Sequence, residues 1–390
     1  MRRLAFSVLV LLLAIGGFLY QVRLAEAIPS ARAALPLAAG VLLFGMLSIM
    51  LARGRLRIMM ARPWLHYALA MVLLVALMLF GHRYRGGLYL PGRVNPSEFV
   101  KLFFVLFVAG HLAQNQEEDG RISLRTIAVQ LAAFGGLALA IVLVRDFGLL
   151  AQLGVTWAAI LFVASAKWGL LAALCGGIAA TTILAHPFGH LAVRVAVWHD
   201  PFSDATGAGW QTLQGLAALV SGGWWGKGMG MGEVHSVPIV SSDFVYAALG
   251  EELGFVGCSI VLILWLILLI LPLVSYFSNN GDSPRKSNGD SPRKSNGDSP
   301  RKSRQPCKSC KSNGDIPRNS TGDSPQGWAG TELLAVGLVA SLGCQLLLNV
   351  AGVLNVLPMT GITFPLLSHG GTSVVAVLAM CGILNAASSS

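Results

Sequence analysis

Apolar runs of about twenty residues recur along most of this chain, separated by short polar joints. A helix needs roughly 20 residues to cross about 30 Å of hydrocarbon. In that medium every backbone N–H and C=O must be paired inside the protein. A chain dominated by such runs is restricted to a bundle of membrane-spanning helices. Ten candidate spans are present: 4–22, 33–52, 65–82, 98–114, 123–144, 147–166, 168–186, 243–275, 329–354 and 367–387. Only 12% of the residues are charged, about half the ~25% of soluble domains. The run after Arg2 and Arg3 is followed within a few residues by another apolar run, so it reads as an uncleaved first span rather than a leader. The expected fold is an all-α polytopic membrane protein of about ten transmembrane helices, with a large external loop, 187–242, between spans seven and eight.

Basic residues orient such a bundle, because they stay on the cytoplasmic side. Arg53, Arg55, Arg57 and Arg62 lie between spans two and three, Lys167 between six and seven, and ten Lys or Arg between eight and nine. All fall on one side if both termini are cytoplasmic. Segment 83–97 would then be external, yet it carries Arg83, Arg85 and Arg93. These arginines suit either interfacial anchoring or a ligand.

Three parts are expected: membrane domain 1–277 with spans one to eight, an insert at 278–328, and membrane domain 329–390 with spans nine and ten. The insert repeats NGDSPRKS three times before degenerating. Rich in Pro, Gly, Ser and charge, it cannot form a core and is expected to be a disordered cytoplasmic tether. Its ten Lys or Arg and five Asp supply half of the formal net charge of +10. The basic balance therefore says little about the membrane domain. With no aromatic residues interleaved, nucleic acid is not an expected partner, whereas membrane lipids are. Cys175, Cys258, Cys344 and Cys381 lie in apolar runs and read as packing residues. Cys307 and Cys310 form one CxxC with no second pair, which is weak evidence for a metal site.

Acidic residues are expensive in apolar surroundings, and the segment 194–257 holds several. Asp243, in SSDF, stands where the external loop enters span eight. A half-buried carboxylate there can serve as a general base or simply cap the helix. Glu251 and Glu252 are expected about 12 Å deeper, either as functional acids or in ion pairs with a basic partner. Glu98 and Lys101, in NPSEFVK, share a helix face and can pair. Arg145 and Asp146 form a local charge pair at a tight turn and read as structural. The run SGGWWGKGMGMG suits a close-approaching loop and lacks the spacing of a nucleotide-binding P-loop. In PMTGITFPLLSHGGTSVV, the helix start at Gly370 can cap itself or receive an anion.

Three blocks, GRVNPSEFVK at 92–101, the whole of 194–257, and NVAGVLNVLPMTGITFPLLSHGGTSVV at 349–375, together resemble the FtsW/RodA/SpoVE (SEDS) family of bacterial envelope proteins. The resemblance covers nearly everything outside 278–327. It implies a peptidoglycan glycosyltransferase of the cytoplasmic (inner) membrane that polymerises lipid II into glycan strands during division or elongation. It puts forward Asp243 as the essential acid, Glu98, Lys101, Arg194, Arg85, Ser368 and Gly370 as substrate-binding residues, and Asp200, Glu251 and Glu252 as supporting ones. A single-span class B penicillin-binding protein, a transpeptidase, is the implied partner. It implies no defined cofactor, and a divalent cation, Mg or Mn, is a candidate. Departures from the family pattern fall at Gly86, Asn95 and His369. A lipid-linked precursor flippase or transporter, and a non-catalytic scaffold for a transpeptidase, are the competing readings.

Overall fold

The computed structural model describes residues 2–24, 30–50, 55–84, 87–91, 94–117, 122–165, 189–281, 330–368 and 370–387. The expected span 168–186, the insert beyond 281, and Arg85, Gly86, Arg93 and His369 lie outside the described residues. The described chain is a helical bundle. Its helices are α1 (Arg2–Leu24), α2 (Ser30–Met50), a short α3 (Arg55–Met60), α4 (Pro63–Phe80), α5 (Ser97–Gln114), α6 (Leu124–Val144), α7 (Phe147–Ser165), α8 (Gly189–His199), α9 (Trp210–Gly222), α10 (Val245–Gly281), α11 (Gly330–Val353) and α12 (Gly371–Ala387). Seven of them are long and apolar enough to cross a membrane, and α2 and α12 contribute shorter apolar stretches. One departure from the all-α expectation is a small antiparallel hairpin, β1 (His82–Tyr84) and β2 (Gly87–Tyr89).

Local chemistry sets the helix boundaries. Pro63 opens α4, where its missing N–H costs nothing. Ser123 caps α6 by accepting from the Thr126 N–H. At the other end Arg145 turns left-handed, with φ 64°, and its N–H closes on Ile141 and Val142 carbonyls. Polar side chains in the apolar interior cross between helices. Gln152 of α7 donates to the Ser341 carbonyl of α11 at 2.9 Å, and Trp157 donates to the Gln130 carbonyl oxygen of α6 at 3.2 Å. Such bonds keep buried polar groups satisfied where water is absent.

Two ends of the bundle can be told apart. At one end α1 begins and α12 finishes, tied by Arg3 donating to the Asn385 carbonyl at 3.0 Å. The opposite end carries the hairpin, the α6–α7 turn, α8, α9 and the 354–370 loop.

The chain from Asp243 onward differs from one straight span. Gly254 breaks α10 with φ 68° and ψ −171°. The Cβ of any other residue there would stand 2.6 Å from the Trp224 carbonyl oxygen. The piece after the break runs antiparallel to α1. Arg2 reaches the Val274 carbonyl at 3.5 Å, and Arg23 pairs with Glu252 at 2.6 Å. Twenty-one residues of one helix thus match twenty-two of the other. Glu252 therefore stands level with the far end of α1, not deep within a span. Gln21, two residues before Arg23, donates to the Ser241 carbonyl at 3.1 Å. Ser241 and Glu252 thus meet α1 at nearly one height, although eleven helical residues would cover about 16 Å. The stretch between them runs largely across the bundle. Val245, Ala247, Ala248 and Leu249 on it are buried, with α9 packed alongside.

Candidate functional site

Four separate parts of the chain meet at the hairpin end of the bundle. Helix α11 organises them through two side chains one turn apart. Asn349 is 1% exposed and donates to the Asp243 carbonyl at 3.0 Å and the Ile362 carbonyl at 2.7 Å. Gln345 donates to the Thr363 carbonyl at 3.2 Å, and its own carbonyl oxygen accepts from Lys101 Nζ at 3.1 Å. One helix face thereby pins the 360–363 stretch, the backbone of Asp243 and the Lys101 side chain. Lys101 also pairs with Glu98 one turn earlier on α5, and both are buried.

Asp243 and Arg194 converge on Gly361. A Cβ at that glycine would lie 3.7 Å from an Asp243 carboxylate oxygen and 4.0 Å from an Arg194 guanidinium nitrogen. Gly361 itself has φ 75°, a conformation costly for any residue with a side chain. Asp243 is half-buried and Arg194 exposed. Arg194 Nη1 also donates to the Thr360 carbonyl at 3.2 Å, which fixes its stem at the rim. A carboxylate and a guanidinium thus share one edge of a backbone surface that no Cβ covers.

Asp146 joins this group, a residue that sequence reasoning placed in a local pair with Arg145. Its Oδ1 accepts from the Leu149 N–H at 2.9 Å and starts α7. Burial pushes its carboxyl above the ordinary range and Glu98 adds to that, while the Leu149 N–H, Lys101 and Arg194 pull it down. Glu98, Lys101, Asp146 and Arg194 therefore form one electrostatic set around the site. Gln345 and Asn349 were also missed. The available signal was a pair of amide side chains four residues apart in an apolar run, the pattern of a helix that presents one polar face to the protein.

Ser368 and Gly370, expected at a substrate, each have a backbone partner. The Ser368 hydroxyl donates to the Ser242 carbonyl at 2.6 Å and accepts from the Phe364 N–H at 2.7 Å. The Gly370 N–H donates to the Ser368 carbonyl at 2.9 Å. Ser368, 2% exposed, thereby ties Phe364 to the residue preceding Asp243, since a buried hydroxyl needs partners. Asp200 ends α8, its carboxylate accepting from the Phe202 N–H at 3.0 Å. Arg85 lies outside the described residues.

Glu251 and Glu252 are both buried, and each holds a cation. Glu252 takes Arg23 through both oxygens at 2.6 Å. Glu251 accepts from Lys227 Nζ at 2.7 Å and the Glu233 N–H at 3.0 Å. Two neighbours on one helix can both be buried because this stretch is enclosed on every side. Their cations come from α1 and from the glycine-rich loop after α9. Among the described residues no three His, Cys, Asp or Glu side chains converge as a metal cage.

Comparison with known proteins bears on this geometry. The profile of the cell cycle protein family FtsW/RodA/SpoVE matches residues 2–285 and 327–390. The peptidoglycan glycosyltransferase RodA of Mycobacterium tuberculosis is 29% identical over 307 residues, which cover 76% of this chain and 55% of that protein. The chain thus spans about half the length of its mycobacterial relatives. The probable peptidoglycan glycosyltransferase FtsW of Aliivibrio salmonicida is 28% identical over 346 residues, 86% of this chain and 75% of that protein. Among solved structures, a chain from a peptidoglycan synthase complex described as coordinating polymerisation and crosslinking superposes with a TM-score of 0.70 at 22% identity. It covers 98% of this chain and 96% of its own. The rod shape determining protein RodA of Thermus thermophilus gives 0.62 at 20% identity, covering 98% and 95%. These two likenesses carry the fold.

Proposed function

This chain belongs to the FtsW/RodA/SpoVE family of cell cycle proteins, and on that premise we propose that it is an inverting peptidoglycan glycosyltransferase that polymerises lipid II. The observation that carries this reading is the convergence of Asp243 and Arg194 on the bare backbone of Gly361. Glycosyl transfer from a lipid-linked diphosphate needs a base for the attacking hydroxyl and positive charge for the departing diphosphate. It needs no second acid, unlike glycoside hydrolysis, because the diphosphate leaves as a stable anion.

In the proposed reaction the Asp243 carboxylate takes the proton of a sugar 4-hydroxyl on the acceptor. That oxygen forms a bond to the anomeric carbon of the donor. The bond from this carbon to the diphosphate oxygen breaks, and its electron pair leaves on the diphosphate. Arg194, exposed at the rim, is the cation placed to meet that charge. Lys101 is enclosed by Glu98 and Gln345 and would act from behind the site, setting its field. Asn349 holds the backbone of Asp243 and so orients the base. The departing diphosphate would gain further positive charge from a divalent cation, Mg or Mn, although no three carboxylate, His or Cys side chains among the described residues converge to hold one.

We further propose that the hairpin end faces outside the cytoplasmic membrane of a bacterium, with both termini cytoplasmic. Arg2, Arg3, Arg55 and Arg62 stand at the opposite end, in keeping with the positive-inside rule. A single-span class B penicillin-binding transpeptidase is the proposed partner, by analogy with the synthase complex whose fold this chain shares. A flippase is the poorer reading. Its acids would line a path at mid-depth, whereas Asp243, Glu251 and Glu252 all stand level with the far end of α1.

The test is polymerisation of lipid II by purified protein with its transpeptidase partner. Asp243→Asn is expected to lower the rate by about 100-fold or more, as for loss of a general base, with an unchanged melting temperature. Wild-type activity in a folded Asp243→Asn variant would remove Asp243 from the mechanism.

A further inference from the structure

Trp224 and Trp225 are 68% and 80% exposed, and the loop that carries them is tightly held. The Lys227 and Gly228 N–H groups donate to the Glu251 and Glu252 carbonyls at 2.9 and 3.0 Å. The Phe255 and Val256 N–H groups donate back to the Gly223 and Trp224 carbonyls at 2.9 and 3.1 Å. The loop is thus welded to the break in α10, and its two indoles project from a rigid base. Trp224 packs edge-on against Phe255, with centroids 5.2 Å apart.

Phe255 heads the apolar piece of α10 that runs antiparallel to α1. The exposed side chains of that piece include Phe255, Ile263, Leu266, Ile270 and Val274. At 100° per residue these five fall within about 100° of one another, and within about 140° with the exposed Ile260 and Ile267, a single outward stripe. In a helix of this apolarity such a stripe faces lipid. The Trp224 ring continues it at its upper end, and the Arg23–Glu252 pair sets that end level with the end of α1. Met229 and Met231, on the same loop, are also exposed. Lys227 stands between the indoles and the methionines, its side chain 37% exposed. Indole rings prefer the boundary between headgroups and chains, where one edge is apolar and the N–H stays wet.

We propose that the Gly222–Gly232 loop is a membrane-interface anchor, with Trp224 and Trp225 seated among the lipid headgroups of the leaflet at the hairpin end. Its occupant is lipid rather than a protein partner, because the exposed rings extend a lipid-facing stripe at the height where the spans end. Through the Glu251 and Glu252 contacts, the anchor also sets the height of the helix that follows Asp243.

The test uses the full chain in vesicles of phosphatidylethanolamine and phosphatidylglycerol. Some carry bromine near the headgroup and others at the middle of the acyl chains. Wild type is compared with a Trp224→Phe, Trp225→Phe double variant and with Trp225→Phe alone, which keeps the Trp224–Phe255 contact. The emission lost in the double variant is expected to be quenched by the shallow bromolipid at least twofold more than by the deep one, with half of that effect in the single variant. Lost emission that neither lipid quenches would place the rings in water or under protein and overturn the proposal. Stronger quenching by the deep lipid would overturn it too. If the double variant fails to fold, the single variant decides between the same outcomes.

Discussion

Asp146 shows what a single residue can hide. Next to Arg145 it looks like half of a surface pair, yet it stands among Glu98, Lys101 and Arg194 with its carboxyl raised above the ordinary value of 3.8. A raised acid holds its proton more tightly in the folded protein than in the unfolded chain. Its contribution to stability is therefore full below pH 3.8 and is lost as pH rises through the raised value. Asp146→Asn should abolish that loss. Thermal unfolding followed between about pH 4 and 7 should show the variant gaining on wild type as pH rises. A parallel decline in both would mean that the carboxyl ionises at no cost. Asp243 was legible from its position in SSDF at the mouth of an apolar run. Asp146 was not, because its significance comes from Lys101 and Arg194, which lie far away along the chain.

At the scale of elements, helix boundaries followed local signals closely, and α10 shows where they stop working. The run from 243 reads as one span because its residues are apolar throughout and Gly254 alone does not announce a break. The break is made by the glycine-rich loop, whose backbone exchanges hydrogen bonds with both sides of Gly254. The Glu251 and Glu252 carboxylates hold the same loop, through Lys227 and the Gly230 and Glu233 N–H groups. Glu252 is buried but Arg23 is about one-third exposed, so removing the carboxylate leaves a cation that water can reach and costs about 1 kcal/mol. Glu252→Gln should therefore lower the melting temperature, and limited proteolysis should begin to cut within 223–232. The exposed substitution Trp210→Phe should do neither. Unchanged protease resistance in a folded Glu252→Gln variant would show that the backbone contacts alone hold the loop. The Ser368 hydroxyl likewise takes two backbone partners, Phe364 four residues away and Ser242 far along the chain, and no local pattern announces the second.

For the molecule as a whole, the family profile passes over residues 286–326; on either side, Val274 of α10 lies at Arg2 and Gly330 of α11 at Met60, both at the end where α1 begins. Deleting 286–326 should leave the melting temperature and the polymerisation rate as they are in the intact chain. A fall in either would make the repeats part of the working protein. The sequence by itself determined the class of fold and most of the places where its long apolar helices start and stop, though not α8, α9 or the break in α10. Both follow from constraints within a few residues: hydrocarbon demands long uncharged runs, and helix ends demand caps. Sequence also singled out Asp243, Arg194, Glu98 and Lys101, through motifs that resemble a family. Only the tertiary structure decided which polar groups meet. Lys101 finds Gln345 across 244 residues, and Arg23 finds Glu252 across 229. Such meetings depend on the rotation and height of helices packed in three dimensions. Those are set by the sum of many weak apolar contacts, and no local pattern records them.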